Sequence, residues 1–181
     1  MTKEYLNISK GRHTLNKNLE LLNDIDLTFR FGEHYLFTGG NGSGKTSFLN
    51  KLFLPELSKV ANGKYLYFHS SQDVTLQLYF VKAYYRGLLN TNERFSTSTE
   101  TLNNLKNHFL KFEENPSENI VFVLDEIDQY LSIKDFLNGI DMGKHSVVLV
   151  THNNENLPSN IEFKNILFHS ASHNLTKIIA K

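Results

Sequence analysis

Apolar and polar residues alternate in "DIDLTFRF", where Ile25, Leu27, Phe29 and Phe31 fall on one side and Asp26, Thr28 and Arg30 on the other. A period of two is that of a strand with one buried face, and Tyr5 to Ile8 repeats it in a shorter form. Gly32 makes a turn and "HYLFTG" follows as a second strand, so two antiparallel strands are predicted ahead of the glycine-dense segment "FTGGNGSGKTSFLNKLF". Thr46 to Leu54 then reads as a helix stopped near Pro55, and Lys64 to Ser70 as a strand. Val74 to Leu89 is apolar and aromatic at helical length. Its "LQLYFVKAYYRGLL" is too apolar for one helix face, so it is either core or partly presented to a partner. The polar stretch "NTNERFSTSTE" predicts a loop, Thr101 to Phe112 a helix, and Pro116 a break.

Two runs do not alternate at all. Ile120 to Leu124 and Val147 to Val150 are continuously apolar, as expected of strands covered on both faces in a parallel sheet. Strands interleaved with helices give an α/β fold with an open sheet. No internal repeat or linker interrupts it, and 181 residues suit one domain, 1–181. Ligands of such sheets bind beyond the carboxyl ends of the strands.

The residues at those ends carry the chemistry. Gly39, Gly44, Lys45 and Thr46 fit G-x-x-x-x-G-K-S/T between a predicted strand and a predicted helix. Glycines let the backbone wrap a phosphate chain with its N–H groups inward, so Gly39, Gly40, Asn41, Gly42, Ser43, Gly44, Lys45, Thr46 and Ser47 are the candidate nucleotide contacts. Lys45 would reach the β- and γ-phosphates and Thr46 would bind magnesium. "IVFVLDEID" ends a buried strand in Asp125, a second metal anchor, and Glu126, which would orient or deprotonate an attacking water. His152, after "VVLV", is either a γ-phosphate or water contact or a packed histidine. Gln72, after "YLYFHSS", is either a metal and water contact or a surface glutamine.

Charge and composition narrow the remaining classes. Nineteen basic and nineteen acidic residues cancel, so net charge does not indicate nucleic acid or an acidic membrane as a partner. The absence of cysteine excludes disulfides, thiolate metal sites and thiol nucleophiles. No carboxylate or thiolate cluster accompanies His169 and His173, so no transition-metal site is predicted. "MTKEYLNISK" lacks the apolar stretch of a signal peptide and no uncharged run is long enough to span a bilayer, so a cytoplasmic protein is expected.

Together these residues resemble the ATP-binding cassette (ABC) ATPase family, and the likeness covers most of the chain. "LLNDIDLTFRFGEHYLFTGGNGSGKTSFLNKLF" is similar to the family's opening strands and Walker A segment. "VFVLDEID" is similar to its Walker B strand and catalytic glutamate, Gln72 to its Q-loop and His152 to its switch histidine. The resemblance implies an antiparallel β subdomain beside a mostly parallel P-loop core, ATP and magnesium as ligands, ATP hydrolysis, and an ATP-dependent homodimer. It also implies a protein partner, either a membrane subunit that would hold the chain peripherally at a membrane or another effector.

Some family features are missing. No LSGGQ-like signature is present; "RFSTSTE" stands in a plausible place without a glycine, leaving the Ser96 and Ser98 hydroxyls. The segment from Gln72 to Asp125 is short for the family, "IDQYLS" replaces its D-loop, and no adenine-stacking aromatic stands out near the N-terminus, where Tyr5 and His13 are poor candidates. A nucleotide-gated binding module with little turnover therefore competes with the ATPase. An AAA+-like ATPase competes as well, because "VLDEID" and "VTHNN" are similar to its motifs, but the strands before the loop and the short C-terminus argue against it. A P-loop kinase would need a basic lid, and Arg86 and Arg94 are the only arginines between the two motifs.

Overall fold

A computed structural model describes residues 3–61, 66–71, 79–80, 119–126, 133–137, 141–151 and 157–180. The non-alternating runs form its centre. They are β8 (Ile120–Asp125) and β9 (Ser146–Val150), and every residue of both is buried. Before them come β1 (Glu4–Ile8), β2 (Gly11–Asn16), β3 (Leu19–Asn23), β4 (Leu27–Arg30), β5 (His34–Thr38), β6 (Leu66–Ser71) and β7 (Tyr79–Phe80). A hairpin of β10 (Phe163–Ser172) and β11 (Leu175–Ala180) follows.

Among the described residues, nine strands make one sheet in the order β2-β3-β11-β10-β5-β9-β8-β6-β7. Its middle, β10-β5-β9-β8-β6, is parallel throughout. Antiparallel pairs lie at the margins, β2 with β3, β11 with β10 and β7 with β6. The fold is thus a mixed α/β one dominated by strands. Its antiparallel part is not a separate N-terminal unit, because the C-terminal hairpin joins β2 and β3 to the core through a parallel β11–β3 ladder.

β4 and β5 are not partners, contrary to the pattern-based expectation. β4 pairs antiparallel with β1, matching Leu6 with Phe29 and Ile8 with Leu27, in a separate two-stranded ribbon. β5 is buried along four of its five residues and both its edges are taken by β10 and β9, so no ladder is left for β4. The alternation itself is real from Leu27 onward, with Leu27, Phe29 and Phe31 buried, whereas Ile25 precedes the strand and is 46% exposed.

The helix after the glycine loop does not stop at Pro55. α1 (Lys45–Phe48) runs into a π-helical segment (Leu49–Phe53) and then α2 (Leu54–Ala61), with Pro55 in the opening turn of α2. Proline lacks the N–H that an i→i−4 bond needs and its ring crowds the preceding carbonyl. The widened turn before it, where the Leu54 N–H donates to the Leu49 carbonyl five residues back, accommodates both problems. Leu49, Phe53, Leu57 and Ala61 recur every four residues as the buried stripe. Tyr79 and Phe80, expected in a helix, form β7 against His69 and Phe68, in keeping with the β preference of aromatic side chains. The rest of the predicted 74–89 helix, the 101–112 helix and the 90–100 loop lie outside the described residues.

Aromatic side chains tie these layers together. Phe37 of β5 has ring centroids 5.6 Å from Phe48, 5.9 Å from Phe53 and 5.4 Å from Phe168 of β10. Phe29 joins the ribbon to the same cluster, 5.0 Å from Phe53 and 4.7 Å from Tyr35. Most of these contacts are tilted or edge-to-face, the arrangements that ring quadrupoles favour. The short α3 (Ile133–Leu137) buries both its terminal apolar residues. Among the described residues no helix is long and apolar enough to cross a membrane.

At the amino ends of the central strands two buried histidines accept backbone hydrogen bonds through Nδ1, His145 from Ile120 N–H at 3.0 Å and His34 from Val147 N–H at 3.3 Å. Burial lowers the His34 pKa from its ordinary 6.5, against the smaller opposing effects of a Met142 backbone hydrogen bond and the Glu33 carboxylate. A depressed histidine pKa means that folding favours the neutral ring. Its contribution is complete above the unfolded value of about 6.5 and is lost as pH falls through it towards the lower folded value. The melting temperature should therefore fall between about pH 7.5 and pH 5.5, and His34→Gln should flatten that slope. A His34→Gln melting curve with the full wild-type slope would remove His34 from this role.

Candidate functional site

The parallel order brings the carboxyl ends of β5, β6, β8 and β9 to one edge of the sheet. β5 ends at Thr38, whose hydroxyl donates to Asn165 Oδ1 at 2.7 Å, and the chain then turns sharply. Gly39 has φ 140°, and a Cβ there would lie 2.3 Å from the Phe168 carbonyl oxygen and 2.8 Å from Ser43 Oγ. The loop can therefore seat itself against β10 only where position 39 has no side chain. Gly42 and Gly44 also have positive φ, 73° and 91°. The Ser43 N–H donates to the Gly40 carbonyl at 3.1 Å, and the Phe48 N–H donates to the Gly44 carbonyl at 2.8 Å to open α1.

No side chain caps that helix start. First-turn N–H groups have no intrahelical acceptor, and with the helix dipole they favour an anion. Lys45 is buried and its ammonium donates to the Gly39 and Gly40 carbonyls at 2.7 and 3.1 Å. Burial lowers its pKa, while the charges of Glu126 and then Asp125 act in the opposite direction. The ammonium is thus held on the loop and faces two carboxylates.

Those carboxylates come from the end of β8. Asp125 is buried as the last strand residue. Glu126 is the one non-glycine residue with positive φ among the described residues, at 53°, and its N–H donates to the Val150 carbonyl at 2.8 Å. A left-handed glutamate costs about 1–3 kcal/mol. The bond to β9 fixes the residue in that conformation, and Glu126 lines an open cavity of about 440 Å³ with residues 41–47 and Leu19. A volume in this range suits a small-molecule ligand.

Of the residues singled out in the sequence, Asn41, Gly42, Ser43, Gly44, Lys45, Thr46, Ser47 and Glu126 line the same cavity. Gly39 and Gly40 form its back support through the Lys45 ammonium. Gln72, Ser96, Ser98 and His152 lie outside the described residues, although Ser71 pairs with Asp125 and Thr151 follows β9 at the same edge. Among the described residues no group of three or more His, Cys, Asp or Glu is placed to hold a metal ion.

Neither aromatic candidate for stacking is in the cavity. Tyr5 is buried in the core, where its hydroxyl donates to Ser146 Oγ at 3.0 Å because the serine proton is used on the Glu33 carbonyl. His13 is half-buried on β2 and bonds the Ser9 carbonyl. Leu19 lines the cavity instead, and nothing in the sequence marks it. Thr176 was also missed: its hydroxyl donates to the Ser43 carbonyl at 2.8 Å. An inward-facing polar residue in the alternating "LTKIIA" is the signal that could have found it.

No protein-family model matches the chain, and no curated protein matches it either. A solved structure titled RNase-L Inhibitor, an ABC-family ATPase, superposes on 99% of this chain with a TM-score of 0.55 and 14% sequence identity. This chain spans 40% of the length of that one. The likeness shows a distant ABC ATPase-like fold.

Two neighbouring glycines should respond differently to a methyl group. Gly39→Ala meets backbone at a positive φ and should cost about 2–4 kcal/mol, lowering the melting temperature by about 5–15 °C. Gly40→Ala enters open space and should stay within about 0.5 kcal/mol of wild type. Thermal denaturation of both variants checks this, and equal melting temperatures would contradict the close approach at Gly39.

Proposed function

We propose that the chain is an ABC-type ATPase domain that binds MgATP in the glycine loop and couples ATP binding and hydrolysis to a protein partner. The observation that carries this reading is the cradle itself. Two glycines with positive φ, Gly42 and Gly44, an uncapped helix start and Lys45 line one side of a cavity whose other side carries Glu126.

The residues suit a nucleotide polyphosphate in detail. Main-chain N–H groups of residues 41–47 would take the phosphate oxygens, and the Lys45 ammonium would leave the loop carbonyls for the β- and γ-phosphates. Leu19 gives an apolar wall beside the loop for the nucleoside end. The Thr46 hydroxyl and the Asp125 carboxylate, with Gln72, are the groups that would hold magnesium. That ion, when bound, neutralises charge between the β- and γ-phosphates. Glu126 would orient a water for in-line attack and take its proton, and His152 would complete the γ-phosphate contacts. Catalysis of this kind is positioning and charge neutralisation, so a strained but fixed glutamate is useful there.

Two substitutions separate binding from turnover. Lys45→Ala should raise the Kd for MgATP by about 100-fold, since a buried charge-assisted bond to phosphate is removed; calorimetry showing unchanged affinity would refute the phosphate assignment. Glu126→Gln should keep MgATP binding and lower kcat by about 10²–10⁴-fold. Full activity in that variant would take Glu126 out of the role of base. Wild-type protein that binds MgATP without releasing phosphate would instead make the domain a nucleotide-gated module.

A further inference from the structure

The C-terminal hairpin reaches the glycine loop at a point no motif predicts. Thr176 is 1% exposed, 133 residues from Ser43 in sequence, and its Oγ1 donates to the Ser43 carbonyl at 2.8 Å in a buried hydrogen bond. The hydroxyl stands on a rigid support. β11 lies between β3 and β10, and Thr176 is paired with Leu21 on one side and Ser170 on the other. The fit on the loop side is close as well, because a Cβ at Gly44 would come within 3.0 Å of the same Oγ1.

The Ser43 carbonyl belongs to the same peptide plane as the Gly44 N–H. In a trans peptide these two groups point in opposite directions. Holding the carbonyl on β11 therefore turns the Gly44 N–H away from the hairpin, towards the cavity that Gly44 lines. Gly44 has φ 91°, and glycine visits either sign of φ freely. Without a fixed carbonyl this plane could rotate, and the amide would no longer be prepared for an anion.

We propose that Thr176 is a positioning residue for nucleotide binding: its hydroxyl locks the Ser43–Gly44 peptide so that the Gly44 N–H is preset for a phosphate oxygen. This rests on the reading of the loop as a nucleotide site. The hairpin thereby belongs to the binding apparatus without touching the ligand.

The test compares Thr176→Val, which keeps the shape and loses the donor, with Thr176→Ser, which keeps the donor. Folding of each is checked by circular dichroism, and MgATP binding is measured by calorimetry. Thr176→Val should raise the Kd about tenfold, which is about 1.4 kcal/mol, while Thr176→Ser should stay within about twofold of wild type. Equal affinity of the valine variant and wild type, or equal weakening by valine and serine, would overturn the proposal. A measurement on the unsubstituted chain stands even if valine does not fold. The Gly44 amide resonance should move on addition of MgATP, and an unmoved Gly44 resonance at saturating MgATP would also overturn it. Wild-type protein that binds no MgATP would remove the nucleotide reading itself, an outcome distinct from all of these.

Discussion

The glycine loop can form only because the chain at Gly39 passes directly against the main chain of β10. That contact, 2.3 Å from a hypothetical Cβ to the Phe168 carbonyl, leaves no room for any side chain and sets where β5 hands over to the loop. Everything downstream takes its position from it. Lys45 can reach back to Gly39 and Gly40, the helix can start at Gly44, and the cavity can open between the loop and Glu126.

The remaining architecture holds the two walls of that cavity in place. Phe37 and Phe48 lie before and after the loop, and both pack on Phe168, so the strand, the helix and the hairpin share one aromatic cluster. Glu126 belongs to the other wall and is held by a main-chain bond to Val150 across the β8–β9 ladder. Burial on both faces makes those strands stiff, which suits a site that depends on fixed dipoles more than on moving parts.

Much of this was legible from residue pattern. The continuous runs at 120–124 and 147–150 signalled strands covered on both sides, and both are buried throughout. The spacing of Gly39, Gly44, Lys45 and Thr46 located the loop, and Glu126 of the Asp125–Glu126 pair located the opposite wall, whereas Asp125 is buried behind it as the last residue of β8. What pattern missed depends on contacts distant in sequence. β2 alternates between covered and exposed positions, but of the covered ones only Leu15 is a large apolar residue, so the sequence shows no apolar period of two. β4 alternates correctly but its partner is decided by which edges remain open, and local periodicity carries no such information. Pro55 signalled a helix end, yet a wider turn absorbed it. Leu19 and Thr176 become site residues only when β3 and β11 are placed beside each other.

The π segment between the loop and Pro55 has a consequence for how this helix tolerates change. A turn with five-residue bonding is a regular helix carrying one residue in surplus. Losing one residue between 49 and 53 would therefore restore ordinary helix geometry with little relative rotation of the two ends, because the wide turn and a regular turn one residue shorter sweep nearly the same angle. Leu57 and Ala61 would then keep their places in the core and Lys45 its place at the cavity, whereas the same loss within the regular turns of α2 would rotate the two ends by about 100°. The wide turn thus holds one residue of slack, a place where this helix can shorten without re-aiming the ammonium.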